Sequence, residues 1–120
     1  MNQGIIVFGH GSSVASANDA VRTIAAQAAA DGAWPLCETA FLEAAPRLDE
    51  AVRKLVSAGA REVLVLPYFL TLGIHLQRDL PKLVDALSRE HNIKILVAEP
   101  LDGAPELSRI LVRRALETQP

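Results

Sequence analysis

The chain has 120 residues, half of them hydrophobic, few of them aromatic, and a net charge of −2. That length fits one domain, residues 1–120, with a core that needs no covalent staples. The faintly acidic balance argues against an electrostatic nucleic-acid surface, and the single cysteine, Cys37, rules out an internal disulfide. No apolar run approaches the roughly 18 residues of a membrane span. The N-terminus lacks a basic region ahead of its short apolar run. The expectation is a soluble, cytoplasmic protein with no nucleic-acid or membrane partner.

The elements follow in regular alternation. Ile5 to Phe8 reads as a short, buried, β-branched strand. An alanine-rich helix is predicted from about Ala15 to Ala30, closing near Asp31 and Gly32. Pro35 to Phe41 reads as a second strand, diluted by Cys37, Glu38 and Thr39. Pro46 suits the start of a helix running to Ala58, with Gly59 as its C-cap. Glu62 to Leu66 is the clearest strand, and Pro67 ends it because proline has no N–H for a central ladder. An apolar loop, Tyr68 to Ile74, leads into a helix over about Leu76 to Glu90, with Asp79 and Pro81 in its first turns. Ile93 to Val97 is a fourth strand, and Pro105 opens a last helix ending near Glu117.

Strands separated by single helices imply right-handed crossovers, hence a parallel sheet with helices on both faces. The predicted architecture is a three-layer α/β fold with four parallel strands in flavodoxin-like, doubly wound order, the first strand central. So small a sheet is short of surface for a large ligand, and a homodimer sharing the cleft would supply it.

In open α/β sheets ligands bind at the carboxyl ends of the strands. His10 follows the first strand between Gly9 and Gly11, which leave the backbone beside it uncovered. Glu43 follows the second strand, and His75 comes after the third with its apolar loop. The three positions are each about one βα unit apart, so successive strands deliver one polar group to the same edge. Two imidazoles and a carboxylate suit cobalt(II), iron(II), nickel(II) or zinc(II) with positions left open for a substrate, and the carboxylate can accept a proton. Ser12 and Ser13 can cap the first helix or donate to an anion. Arg47, Arg78 and Lys82 lie on or just past the same rim and can hold substrate carboxylates or remain solvated. Phe69, Leu70, Leu72 and Ile74 would serve a flat apolar ligand, a core or a dimer contact. His91, at a helix C-terminus, reads as a solvated cap.

These residues resemble the small CbiX-type sirohydrochlorin chelatases of the class II chelatase family. The resemblance rests on Gly9-His10-Gly11-Ser12, on Phe41-Leu42-Glu43 with Pro46, and on Pro67-Tyr68-Phe69-Leu70 with Gly73, His75, Asp79 and Pro81. It covers nearly the whole chain in order. It implies a lyase that inserts cobalt or iron into sirohydrochlorin, for cobalamin or siroheme, and that works as a homodimer. It casts His10 and His75 as metal ligands and Glu43 as the acid assisting metal delivery and proton removal. Substrate contacts would fall to Ser12, Ser13, Arg47, Phe69, Leu70, Leu72, Gly73 and Arg78. No cofactor is implied beyond the divalent metal substrate. Ser13 departs from the basic residue that many relatives carry there.

Three other readings share features of the chain. A histidine phosphatase needs an arginine before its histidine, where this chain has Gly9. An FMN carrier needs a longer phosphate-cradling loop. A non-catalytic metal or tetrapyrrole carrier would keep both histidines and show no turnover.

Overall fold

The computed structural model describes residues 2–119. Its elements are β1 (Gln3–Gly9), α1 (Ala15–Gly32), β2 (Cys37–Phe41), α2 (Leu48–Ser57), β3 (Glu62–Pro67), α3 (Ile74–His91), β4 (Lys94–Val97) and α4 (Pro105–Glu117). All strand pairs are parallel and the order is β2-β1-β3-β4. The first strand is central and the doubly wound order is the predicted one.

Side chains alternate across the sheet. Ile6 and Phe8 of β1 and Val63 and Val65 of β3 face α2 and α3, where they meet Leu48, Val52, Leu55, Leu80 and Val84 in the main core. Full burial of each such side chain is worth about 1.5–3 kcal/mol. Ile5 and Val7 point to the opposite face and are also buried. There α1 lies over β1 and β2: a Cβ on Gly9 would touch Val21 at 3.7 Å and Phe41 at 3.8 Å.

Boundaries differ from the sequence expectation where local packing outweighs propensity. Gly32 was expected to close α1, yet the left-handed cap falls on Ala33, φ 54°. The Trp34 ring lies so close over Gly32 that a Cβ there would come within 2.5 Å of it. β2 begins at Cys37, past Trp34 and Pro35. α2 begins at Leu48, because Pro46 is drawn into the preceding loop, where its carbonyl accepts the Phe41 N–H at 2.8 Å and its peptide bond is cis. Arg47 is the N-cap, its backbone N–H donating to the Glu50 carboxylate at 3.1 Å. Ala58 is the C-cap of α2, and Gly59 follows it at φ +104°. Pro67 is the last residue of β3, opposite Phe8, and the Tyr68 N–H donates to the Phe8 carbonyl at 2.7 Å, past the missing proline donor.

One expectation fails more substantially. His91 is not a solvated cap: its side chain is 16% exposed, with Nε2 buried 2.9 Å from a Glu90 carboxylate oxygen. The last helix, α4, forms as expected but buries none of its residues, and Leu96 of β4 is exposed.

Candidate functional site

The mouth is built by the loops that leave the carboxyl ends of β1, β2 and β3. The β1 and β2 loops continue the strand pairing beyond the sheet. Leu42 N–H donates to the Gly9 carbonyl at 3.0 Å, and Glu43 N–H to the His10 carbonyl at 2.8 Å. His10 and Glu43 are therefore neighbours along the rim, and both are exposed. Gly11 makes the close approach possible. Its φ is +86°, and a Cβ there would stand 2.9 Å from the Phe41 Cβ and 3.0 Å from the Ala44 nitrogen.

The His10 ring is oriented by two contacts. Its Nδ1 lies 3.0 Å from the Gly11 carbonyl oxygen, and its ring stands edge-on to Phe69, centroids 6.4 Å apart. A carbonyl oxygen only accepts, so Nδ1 carries the proton. In the neutral ring Nε2 then holds a free lone pair, the form that ligates a metal.

His75 sits in the first turn of α3, which starts at Ile74, two residues earlier than expected. Arg78 Nη2 lies 3.3 Å from His75 Nδ1. A guanidinium only donates, so here Nδ1 accepts and the ring proton is on Nε2. Arg78 is held in turn by Asp79, Nε to Oδ1 at 2.9 Å. That hydrogen bond holds the Asp79 carboxyl below its ordinary range and raises Arg78. The two histidines are thus set in opposite tautomers. Among the described residues no three His, Cys, Asp or Glu side chains gather as a metal-holding group. What the structure offers is an open rim with one imidazole ready to ligate, not a closed cage.

The other rim residues divide by what already occupies them. The Ser12 hydroxyl accepts the Val14 N–H at 3.0 Å, while Asn18 takes the Ser12 N–H at 2.9 Å and donates to its carbonyl at 2.8 Å. Asn18, which sequence reading passed over, thereby fixes the His10 loop; an amide in the first turn after a Gly-Ser-Ser loop was the available signal. Ser13 is exposed. Arg47 donates to the Leu42 carbonyl and so braces the β2 loop from an exposed position. Phe69 is half-buried, packed on Phe8 at 5.8 Å, and Leu70 beside it is exposed. Gly73 caps α3 with open space beside it. Leu72 is half-buried: with Leu80, Val84, Ile95 and Val97 it lines an apolar groove of about 430 Å³ between α3 and β4, and it also borders a hollow with Thr71 and Glu99. Lys82 is exposed on α3.

An α/β sheet of this order, with its titratable groups hung from successive strand ends, defines a class: a doubly wound protein whose strand mouth opens at the switch between β1 and β3. The CbiX family model matches residues 4–118, and the chain belongs to that family. It is 32% identical to a sirohydrochlorin cobaltochelatase of Sulfolobus acidocaldarius, over 93% of this chain and 89% of the relative. Among solved structures it resembles a cobalamin (vitamin B12) biosynthesis CbiX protein from Marinobacter aquaeolei VT8, with TM-score 0.82 and 31% identity over 98% of this chain and 99% of that one. It also superposes, with TM-score 0.90 and 25% identity, on the sirohydrochlorin chelatase SirB from Bacillus subtilis subspecies spizizenii in complex with cobalt. There it covers 98% of its own length and 51% of the SirB chain.

Proposed function

We propose that this protein is a sirohydrochlorin chelatase that inserts cobalt(II) or iron(II) into the tetrapyrrole, serving cobalamin or siroheme synthesis. The observation that carries the reading is the His10 imidazole, its Nδ1 proton committed to the Gly11 carbonyl and its Nε2 free at the strand mouth. The cobaltochelatase relatives and the cobalt-bound SirB supply the reaction class.

The mechanism follows from the rim. His10 takes the divalent ion through Nε2, and His75 joins once Arg78 leaves its Nδ1. Two imidazoles leave coordination positions vacant, so the ring nitrogens of the substrate can replace the protein ligands one at a time. The pyrrole protons must depart as the metal enters. Two protons leave for one divalent ion: Glu43, adjacent to His10 along the rim, is the acceptor we assign to one, and a histidine released from the metal takes the other. Phe69 and Leu70 offer apolar surface to the macrocycle. Arg78, once released from His75, and Arg47 are the cations for its carboxylates, with Ser13 and Gly73 exposing backbone to it and Ser12, held by Asn18, shaping the loop beside it. Leu72 contributes by supporting the loop from the groove behind it. The same reading makes the protein a cytoplasmic homodimer, and no helix of the described residues is long and apolar enough to cross a membrane.

The test is an anaerobic absorbance time course of sirohydrochlorin with cobalt(II) or iron(II). Insertion above the spontaneous rate is the expected result, and the ratio of the two metal rates separates the pathways. A folded, metal-binding protein that accelerates neither ion would instead be a carrier.

A further inference from the structure

Whether His10 can hold an ion through Nε2 depends on which ring nitrogen carries the proton, and a short chain of contacts decides it. His10 Nδ1 lies 3.0 Å from the Gly11 carbonyl oxygen. That carbonyl belongs to the peptide group joining Gly11 to Ser12, so the Ser12 N–H lies on the same rigid plane. The Ser12 N–H donates to Asn18 Oδ1 at 2.9 Å. Asn18 Nδ2 donates in turn to the Ser12 carbonyl at 2.8 Å. One amide thus meets both backbone groups of Ser12, and the two bonds fix which end of that amide is the oxygen.

The peptide group needs such a hold. Gly11 has φ +86°, and a Cβ there would stand 2.9 Å from the Phe41 Cβ, so the position demands glycine. The same missing side chain leaves the Gly11–Ser12 plane loose to rotate. Asn18 is half-buried in the first turn of α1. It spends its amide on the loop and not on the helix end, where the N-cap Val14 has no side-chain bond. In a trans peptide the N–H and C=O point in opposite directions. Holding the N–H on Asn18 therefore aims the carbonyl away from it, towards His10.

We propose that Asn18 is the positioning residue that sets the tautomer of His10, acting through the Gly11–Ser12 peptide group. Its Oδ1 anchors the N–H end, the carbonyl at the other end takes the Nδ1 proton, and the Nε2 lone pair is left for the ion. Polarisation along such a chain strengthens each bond by only about 10–30%, so the direction of the carbonyl is the larger effect. The relay rests on the metal-insertion reading only for what the lone pair is used for, and the tautomer itself is independent of that reading.

Nitrogen NMR of the imidazole rings tests it, on the metal-free full-length chain at about pH 8, above the ordinary imidazole pKa. His10 is expected with its proton on Nδ1, and a ring protonated on Nε2 in the unsubstituted chain overturns the relay. The Ser12 amide is expected to exchange slowly with deuterium, and exchange as fast as in an unstructured peptide also overturns it. Asn18→Ala is expected to turn His10 into a mixture of tautomers, with the His75 ring unchanged, and to weaken cobalt(II) binding about tenfold. An unaltered His10 ring in that variant overturns the proposal. Asn18→Asp keeps an oxygen for the Ser12 N–H and loses the donor to the Ser12 carbonyl, so it is expected to retain the Nδ1 proton. A mixture of tautomers in Asn18→Asp overturns the relay in favour of a general loosening of the loop, and this variant decides the matter if Asn18→Ala does not fold. A tautomer shift in Asn18→Ala with undiminished cobalt(II) affinity supports the relay and removes His10 from the metal ligands, so the two readings fail separately.

Discussion

The rings of His10 and Phe69 meet edge to face, 6.4 Å between centroids at an interplanar angle of 69°. One comes from the β1 end and the other from the β3 end, so this contact spans the switch point of the sheet. Phe69 also packs on Phe8 in the core, 5.8 Å away. The imidazole that offers its lone pair is thus positioned from below by the hydrophobic core and from the side by its own backbone.

Phe69→Ala removes that support. The expected cost is about 2 kcal/mol, below the range for a fully buried phenylalanine because Phe69 is half-buried. Urea unfolding measures it. Metal insertion should fall by more than stability does, since the His10 ring loses its orientation. A variant with the expected destabilisation but undiminished turnover would remove the positioning role.

His10→Ala and His75→Ala are each expected to lower insertion by about 100-fold or more, to the spontaneous background, with an unchanged circular dichroism spectrum. Wild-type turnover in either variant would end the metal-ligand assignment.

Arg78→Met tests the tautomer argument. Without the guanidinium 3.3 Å from Nδ1, the His75 ring is free to place its proton on Nδ1 and its lone pair on Nε2. Cobalt(II) affinity is expected to rise by roughly tenfold, the scale on which groups hydrogen-bonded to ligand histidines act, while the KM for the tetrapyrrole rises through loss of a cation. Weaker cobalt binding in calorimetry would show that Arg78 supports His75 as a ligand.

Cys37 gives a pH signature remote from the mouth. Burial, and then the Glu38 carboxylate, raise its thiol above the ordinary 9.0. A thiol raised on folding contributes stability below its unfolded value and loses it as pH climbs through the raised one. Thermal unfolding should therefore move to lower temperature above about pH 9, and Cys37→Ser should flatten that slope. Thiol titration at pH 8 should run slower than for free cysteine, and equal rates would contradict the shift.

Much of this was legible in the sequence because the signals were local. The β-branched runs, their spacing and the crossover rule lead to the strand order, and the glycines around His10 mark the mouth. The remainder depended on tertiary neighbours. Nothing in the sequence around Gly32 announces that Trp34 will lie over it and move the left-handed cap to Ala33. The exposure expected of His91 followed from its helix end, yet the fold covers most of its ring and buries Nε2. Pro105 announced the last helix, but nothing local says that its apolar residues Leu111 and Leu116 stay exposed. Arg78 and His75, three apart on a helix, were each legible as polar rim residues, whereas the tautomer their contact dictates is a property of coordinates.

Burial across the sheet is graded, and the gradient has a kinetic meaning. β1 is buried nearly throughout and paired on both edges, whereas β4 is an outer strand with Leu96 and Val97 open to water. Local opening follows such gradients. In amide hydrogen exchange the β1 residues should report the global unfolding event, and those of β4 should exchange by small, frequent openings. His10 extends directly from the slow end of that scale, and the connector to α4 from the fast end. The first imidazole is therefore anchored to the part of the molecule that opens last. In the proposed reaction the macrocycle would enter and leave on the β4 side of the mouth without disturbing the strand from which His10 extends.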